Sequence, residues 1–185
     1  MLWLIAIGLG LAAGLVAGGS IDNFARVRVR WPAVLLAAVV IREAVLLTPL
    51  NHLDGAQYAY VIAIAAIVAW TIWHADLLPG IWLVAAGAAM NLVVILVNGA
   101  RMPVAAGLAG SLLRHGEIGQ YTLMGPATNL SWLGDWISLR PLPEVYSPGD
   151  VVIAAGLALV VFLLTRGRRA SDRAETSPRI VSDPP

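Results

Sequence analysis

The sequence predicts an all-α integral membrane protein. It should form a five-transmembrane-helix bundle, N-terminus out and C-terminus in, with an ordered outer lid between helices four and five. Three observations predict this. The 185 residues are 59% hydrophobic and 12% charged, with mean hydropathy +0.80, whereas a soluble domain is about one quarter charged. Five apolar stretches approach the roughly 20 residues that cross a hydrocarbon layer as a helix. Arginines gather in two clusters that five crossings put on one side.

This composition excludes a soluble globular domain and a disordered chain. A net charge of +1 excludes nucleic-acid binding driven by charge. With no cysteine, there is no disulfide framework, thiolate metal site or cysteine nucleophile.

The five stretches are residues 2–18, 32–50, 58–73, 80–99 and 149–165. Lipid offers no partner to backbone N–H and C=O groups, so each should be a helix. The third and fifth are short for a span. The first lacks a positive region before its apolar run, so it reads as a retained helix rather than a leader. Together they form one domain over residues 1–165, followed by a polar, disordered tail at 166–185.

Orientation follows from charge. Arg26, Arg28 and Arg30 lie between helices one and two. Arg166, Arg168 and Arg169 follow helix five, with Arg173 and Arg179 beyond. Positive residues stay inside, so both clusters are cytoplasmic in a cell-membrane protein. The outer loop, residues 100–148, holds only Arg101, Arg114 and Arg140. Tyr58, Tyr60, Trp70, Trp73, Trp31 and Trp82 fall at expected helix ends, where aromatic rings favour the headgroup layer.

Helix one carries Gly10, Gly14 and Gly18 at four-residue spacing, a ridge on which another backbone can lie closely. That backbone belongs either to another helix of this chain or to a second copy. Helix two carries Arg42 and Glu43, costly at that depth and pointing about 100° apart. Asn91 on helix four is a candidate partner for either. The three form an ion, proton or substrate pathway, or a structural hydrogen-bonding set.

The loop 100–148 is too apolar for disorder. Pro103 opens an expected short helix over 104–113, and Trp132, Leu133, Trp136 and Ile137 form an apolar stripe at helical spacing. Asp135 and Asp150 flank this lid. Two carboxyls near each other can share a proton and act as acid and base, with Asn98, Arg101 and Asn129 toward a substrate. Alternatively each aspartate is a helix cap or turn residue. His52, His74 and His115 lack ligand spacing, so no metal and no cofactor are expected.

Asn98-Gly99-Ala100-Arg101-Met102-Pro103, Leu133-Gly134-Asp135, Ser147-Pro148-Gly149-Asp150-Val151 and Asn23-Phe24-Ala25-Arg26-Val27-Arg28 resemble a bacterial integral-membrane family known only as a domain of unknown function, family 5317. The resemblance runs from helix one to helix five. It implies a fold and no activity, and Arg42-Glu43 is not part of its pattern. Residues 146–156 are also similar in style to the segment carrying one of the two catalytic aspartates of lipoprotein signal peptidases. That resemblance implies Asp150 and Asp135 as the pair. The sequence departs from it in helix number, and in having Asn129-Leu130-Ser131-Trp132-Leu133-Gly134-Asp135 where Asn-x-x-Asp-Arg would stand.

Three functions follow. The first is a non-enzymatic membrane protein that binds lipid, a membrane-protein partner or its own copy through the lid and the glycine ridge. The second is an aspartate-dependent membrane hydrolase using Asp135 and Asp150. The third is a small carrier using Arg42, Glu43 and Asn91.

Overall fold

The structure, a computed structural model, describes residues 1–47, 53, 55–108, 117, 118, 120–142 and 144–167. His52, His115, Arg114, the expected end of helix two (48–50), the second half of the expected lid helix (109–113) and the tail arginines Arg168, Arg169, Arg173 and Arg179 lie outside these residues.

The described chain is mostly helical. Its five α-helices are α1 Leu2–Val16, α2 Pro32–Leu47, α3 Ala56–Trp73, α4 Ile81–Val97 and α5 Pro148–Arg166. Two of them, α3 and α5, are long and apolar enough to cross a membrane, while α1 and α4 are shorter apolar helices. This reverses the expected lengths. Helix one stops at Val16 because Gly18 turns left-handed (φ +82°) and its N–H bonds the Leu15 carbonyl. Helix three starts earlier than expected and helix five gains a proline-led first turn.

The helices pack in the order α1, α5, α4, α3, α2. Glycines set the close approaches. A Cβ on Gly10 would overlap the Ala158 carbonyl, and one on Gly14 would lie 2.6 Å from Thr165 Cβ, so α1 and α5 run parallel. Gly156 meets the Val84 backbone, and Gly87 meets Gly149, so α4 and α5 run antiparallel. The ridge of α1 is therefore occupied within the chain. Gly18 is not part of it, since nothing lies within 4 Å of its Cβ position, and Gly19 packs against the Thr165 carbonyl instead. Val94 and Ile95 of α4 are at the centre of the core.

The described residues between 100 and 147 form a cap over one end of the bundle. The expectation of an all-α chain fails here. β1 Met102–Val104 pairs parallel with β3 Tyr121–Leu123, and β2 Glu117–Ile118 pairs antiparallel with β3. β4 Ile137–Ser138 pairs with β5 Val145–Tyr146, and Asp135 bridges Val104. Pro103 sits in a strand, not at a helix start. A proline disfavours helical backbone in the residue before it, and Met102 and Val104 are buried on the end of the bundle. The Trp132–Ile137 stripe is helical for only one 3-10 turn, Ser131–Leu133. Trp136 Nε1 still donates to the Trp132 carbonyl at 2.9 Å.

The opposite end is closed by His74, which is fully buried. Its Nε2 accepts from the Arg30 N–H at 2.8 Å and its Nδ1 lies 2.8 Å from the Trp70 carbonyl. Trp70 stacks on the imidazole at 3.8 Å and donates from Nε1 to the Arg30 carbonyl. Trp70 and Tyr60 are thus core residues rather than exposed anchors, while Tyr58, Trp73, Trp31 and Trp82 are exposed.

Candidate functional site

The site is built where the cap meets α5. Ser147, Pro148, Gly149 and Asp150 are an N-terminal signature read locally. Ser147 Oγ accepts from the Asp150 N–H at 3.0 Å, and Asp150 Oδ2 accepts from the Ser147 N–H at 3.1 Å. This reciprocal box satisfies two free donors of the first turn. Asn91 on α4 completes it. Its Nδ2 donates to Asp150 Oδ1 at 2.9 Å, and its Oδ1 accepts from Ser147 Oγ at 2.9 Å. Gly149 permits the approach, because a Cβ there would overlap Asn91 Oδ1.

Asp135 lies beside this ring on a different segment. Its backbone N–H donates to the Pro103 carbonyl at 2.8 Å, and its carbonyl accepts from the Ala105 N–H at 2.9 Å. Its side chain is only 7% exposed, and Oδ1 has no hydrogen-bond partner among the described residues. Burial first, and then the charge of Asp150, push its carboxyl up to about 8. At neutral pH one carboxyl of the pair keeps its proton.

Two phenols lie near the acids, and a guanidinium lies against the phenols. Tyr60 on α3 is within electrostatic reach of Arg42, Asp135 and Asp150. Tyr121 on β3 is held above its usual range by burial, with Tyr60 and Asp135 adding. Arg42 lies over the Trp3 ring at 5.1 Å and the Tyr60 ring at 5.9 Å, and pairs with Glu43. Gln120 Oε1 and Trp3 Nε1 are also buried without partners among the described residues.

Sequence-predicted residues fall into separate places. Asp135 and Asp150 come within electrostatic reach of each other. Asn91 joins Asp150 and Ser147 rather than Arg42 or Glu43, which bond each other, so these three polar residues do not share one site. Asn98 and Asn129 clasp each other: Asn98 Nδ2 donates to the Asn129 and Val94 carbonyls, and Asn98 Oδ1 accepts from the Asn129 N–H. Asn129 Nδ2 donates to the Val97 carbonyl. These amides pin the cap to α4. Arg101 stands at the α4-to-β1 turn, half-buried. Among the described residues no group of acids and histidines could hold a metal ion.

The sequence reading missed Tyr60, Tyr121, Gln120, Trp3 and Ser147 as site residues. Ser147 had a signal in its three-residue spacing to Asp150. The other four had none, because helix order and strand pairing put them there.

The arrangement sits on a stretch that compares clearly with one known family. The family model described as "Family of unknown function (DUF5317)" matches residues 26–162. The chain belongs to this family. The DUF5317 match takes in α2, α3, α4, the cap and most of α5, so Asn91, Asp135, Asp150, Tyr60, Tyr121 and Arg42 all lie inside it. Helix α1, with Trp3 and the glycine ridge, lies outside, which narrows the expected resemblance by one helix. No curated protein and no solved structure matches the chain.

Proposed function

We propose that this DUF5317 protein is a five-span protein of the cell membrane, N-terminus out and C-terminus in. Its outer cap binds lipid headgroups or a membrane partner without catalysing a reaction. The observation that carries the reading is the Trp132–Trp136 pair. The rings are 62% and 49% exposed, on a segment held to α4 by the Asn98–Asn129 clasp and to β1 by Asp135. Large aromatic rings on a rigid exposed segment suit the headgroup layer. Asp150 supports a non-catalytic role, since each of its carboxylate oxygens already accepts a hydrogen bond.

Quenching by brominated lipids tests it. In reconstituted protein, tryptophan emission should be quenched by bromines near the headgroups, and Trp132→Gln with Trp136→Gln should remove that component. A quenching profile unchanged in the double variant rejects cap contact with lipid. The chain has no cysteine, so single cysteines introduced at Thr128 and Asp22 can be labelled separately. An impermeant reagent should reach the first from outside and the second only after permeabilisation. The reverse pattern overturns the orientation.

A second reading is an aspartate-dependent hydrolase. The raised Asp135 beside Asp150 favours it, because one proton between two carboxyls is how such a pair sets acid against base. Loss of membrane-peptide cleavage in both Asp135→Asn and Asp150→Asn, with folding kept, would establish it.

A further inference from the structure

We propose that Asp135 is a proton latch that holds β1 on its own segment of the cap, locked while its buried carboxyl keeps a proton and loosened when the proton leaves. Asp135 is where the cap is stapled. Its N–H and C=O both bond residues flanking Val104, so β1 rides on it. Its side chain turns into the protein and leaves Oδ1 without a partner. Asp150 is fixed at the head of α5 by the Ser147 N–H and the Asn91 amide. The proton at issue is the one on Asp135, whose carboxyl burial raises.

The groups around Asp135 do not offset a second negative charge. From α5 there is Asp150, from α3 the Tyr60 phenol and from β3 the Tyr121 phenol. From α2, Arg42 acts on the two phenols and pairs with Glu43. From β5, Tyr146 feels Asp150 and bonds Glu144. From α4, the neutral Asn91 amide is spent on Asp150 and Ser147. Among the described residues neither aspartate is in an ion pair; the pairs are Met1–Glu144, Arg30–Asp76 and Arg42–Glu43. Ionised Asp135 would thus be a buried, unpaired charge beside a like charge. Lifting β1 from the Asp135 backbone would open it to water. The raised carboxyl, at about 8, puts this transition in an accessible range. The latch does not depend on what the cap touches.

Hydrogen exchange in lipid nanodiscs tests it. The readout is the protection factor, which divides out the intrinsic base-catalysed rate. In wild type, protection at the Asp135 and Ala105 amides should fall at least about tenfold between about pH 6.5 and about pH 9.5. In Asp135→Asn, a neutral stand-in for the protonated acid, it should stay high throughout. Asp150→Asn should retain the transition and move it to lower pH, because the repelling charge is gone. Difference infrared spectra should show a protonated-carboxyl band disappearing over the same range. Flat wild-type protection while that band disappears overturns the latch. So does a transition that survives in Asp135→Asn. If Asp135→Asn fails to fold, the direction of the Asp150→Asn shift decides: a shift to higher pH, or none, overturns it.

Discussion

Asn91 on α4 and Asp150 on α5 are joined by a 2.9 Å hydrogen bond across the α4–α5 contact, while the Asn91 carbonyl receives Ser147 Oγ. One amide therefore fixes where α5 begins. Asn91→Ala should cost about 1–3 kcal/mol, because it strands two buried polar partners. Asn91→Asp should be worse at neutral pH and recover on acidification, since it sets a carboxylate against Asp150. Thermal unfolding of the three proteins against pH checks both.

Two glycines of α1 should respond oppositely. Gly10→Ala drives a methyl into the Ala158 backbone, and such overpacking typically costs about 1–3 kcal/mol. Gly8→Ala meets nothing within 4 Å and should stabilise by about 0.5–1 kcal/mol through helix propensity. Equal effects in an unfolding assay would show that α1 does not seat on α5 through this ridge.

The His74 clasp depends on an acceptor as well as a ring. His74→Phe preserves stacking on Trp70 but leaves the Arg30 N–H without its partner. A loss of about 0.5–1.5 kcal/mol is expected for one part-buried hydrogen bond. Trp70→Phe should lose the second bond, to the Arg30 carbonyl. If the two act as one clasp, a double-mutant cycle should be non-additive.

Asp135 also sets a stability slope. Its folded carboxyl lies near 8, raised above the ordinary 3.8. Between these values the folded state binds a proton that the unfolded state does not. Stability from this group is complete below the lower value, falls as pH rises, and levels off above the higher one. Asp135→Asn should flatten that window in a stability-against-pH series. A wild-type curve rising between about pH 5 and about pH 8 would contradict the sign.

The sequence alone determined the five helices and the head of α5. Apolar runs and the Ser147–Asp150 box act between residues a few positions apart, so they are written locally. Helix ends were less legible, because a left-handed Gly18 moved one end inward and Pro148 began α5 a residue early. Only the tertiary structure decided the rest. The cap strands are two or three residues long and exist through partners far along the chain, such as Met102 with Tyr121. A Pro103 that suits a helix start was carried into a strand by that pairing. Asn91 had two charged candidates, Arg42 and Glu43, and the packing of α4 against α5 gave it Asp150 instead. Tyr60 had the look of a surface anchor until the cap covered it. The same enclosure gives Asp135 its proton, because desolvation belongs to the folded surroundings of a carboxyl and not to its neighbours in sequence.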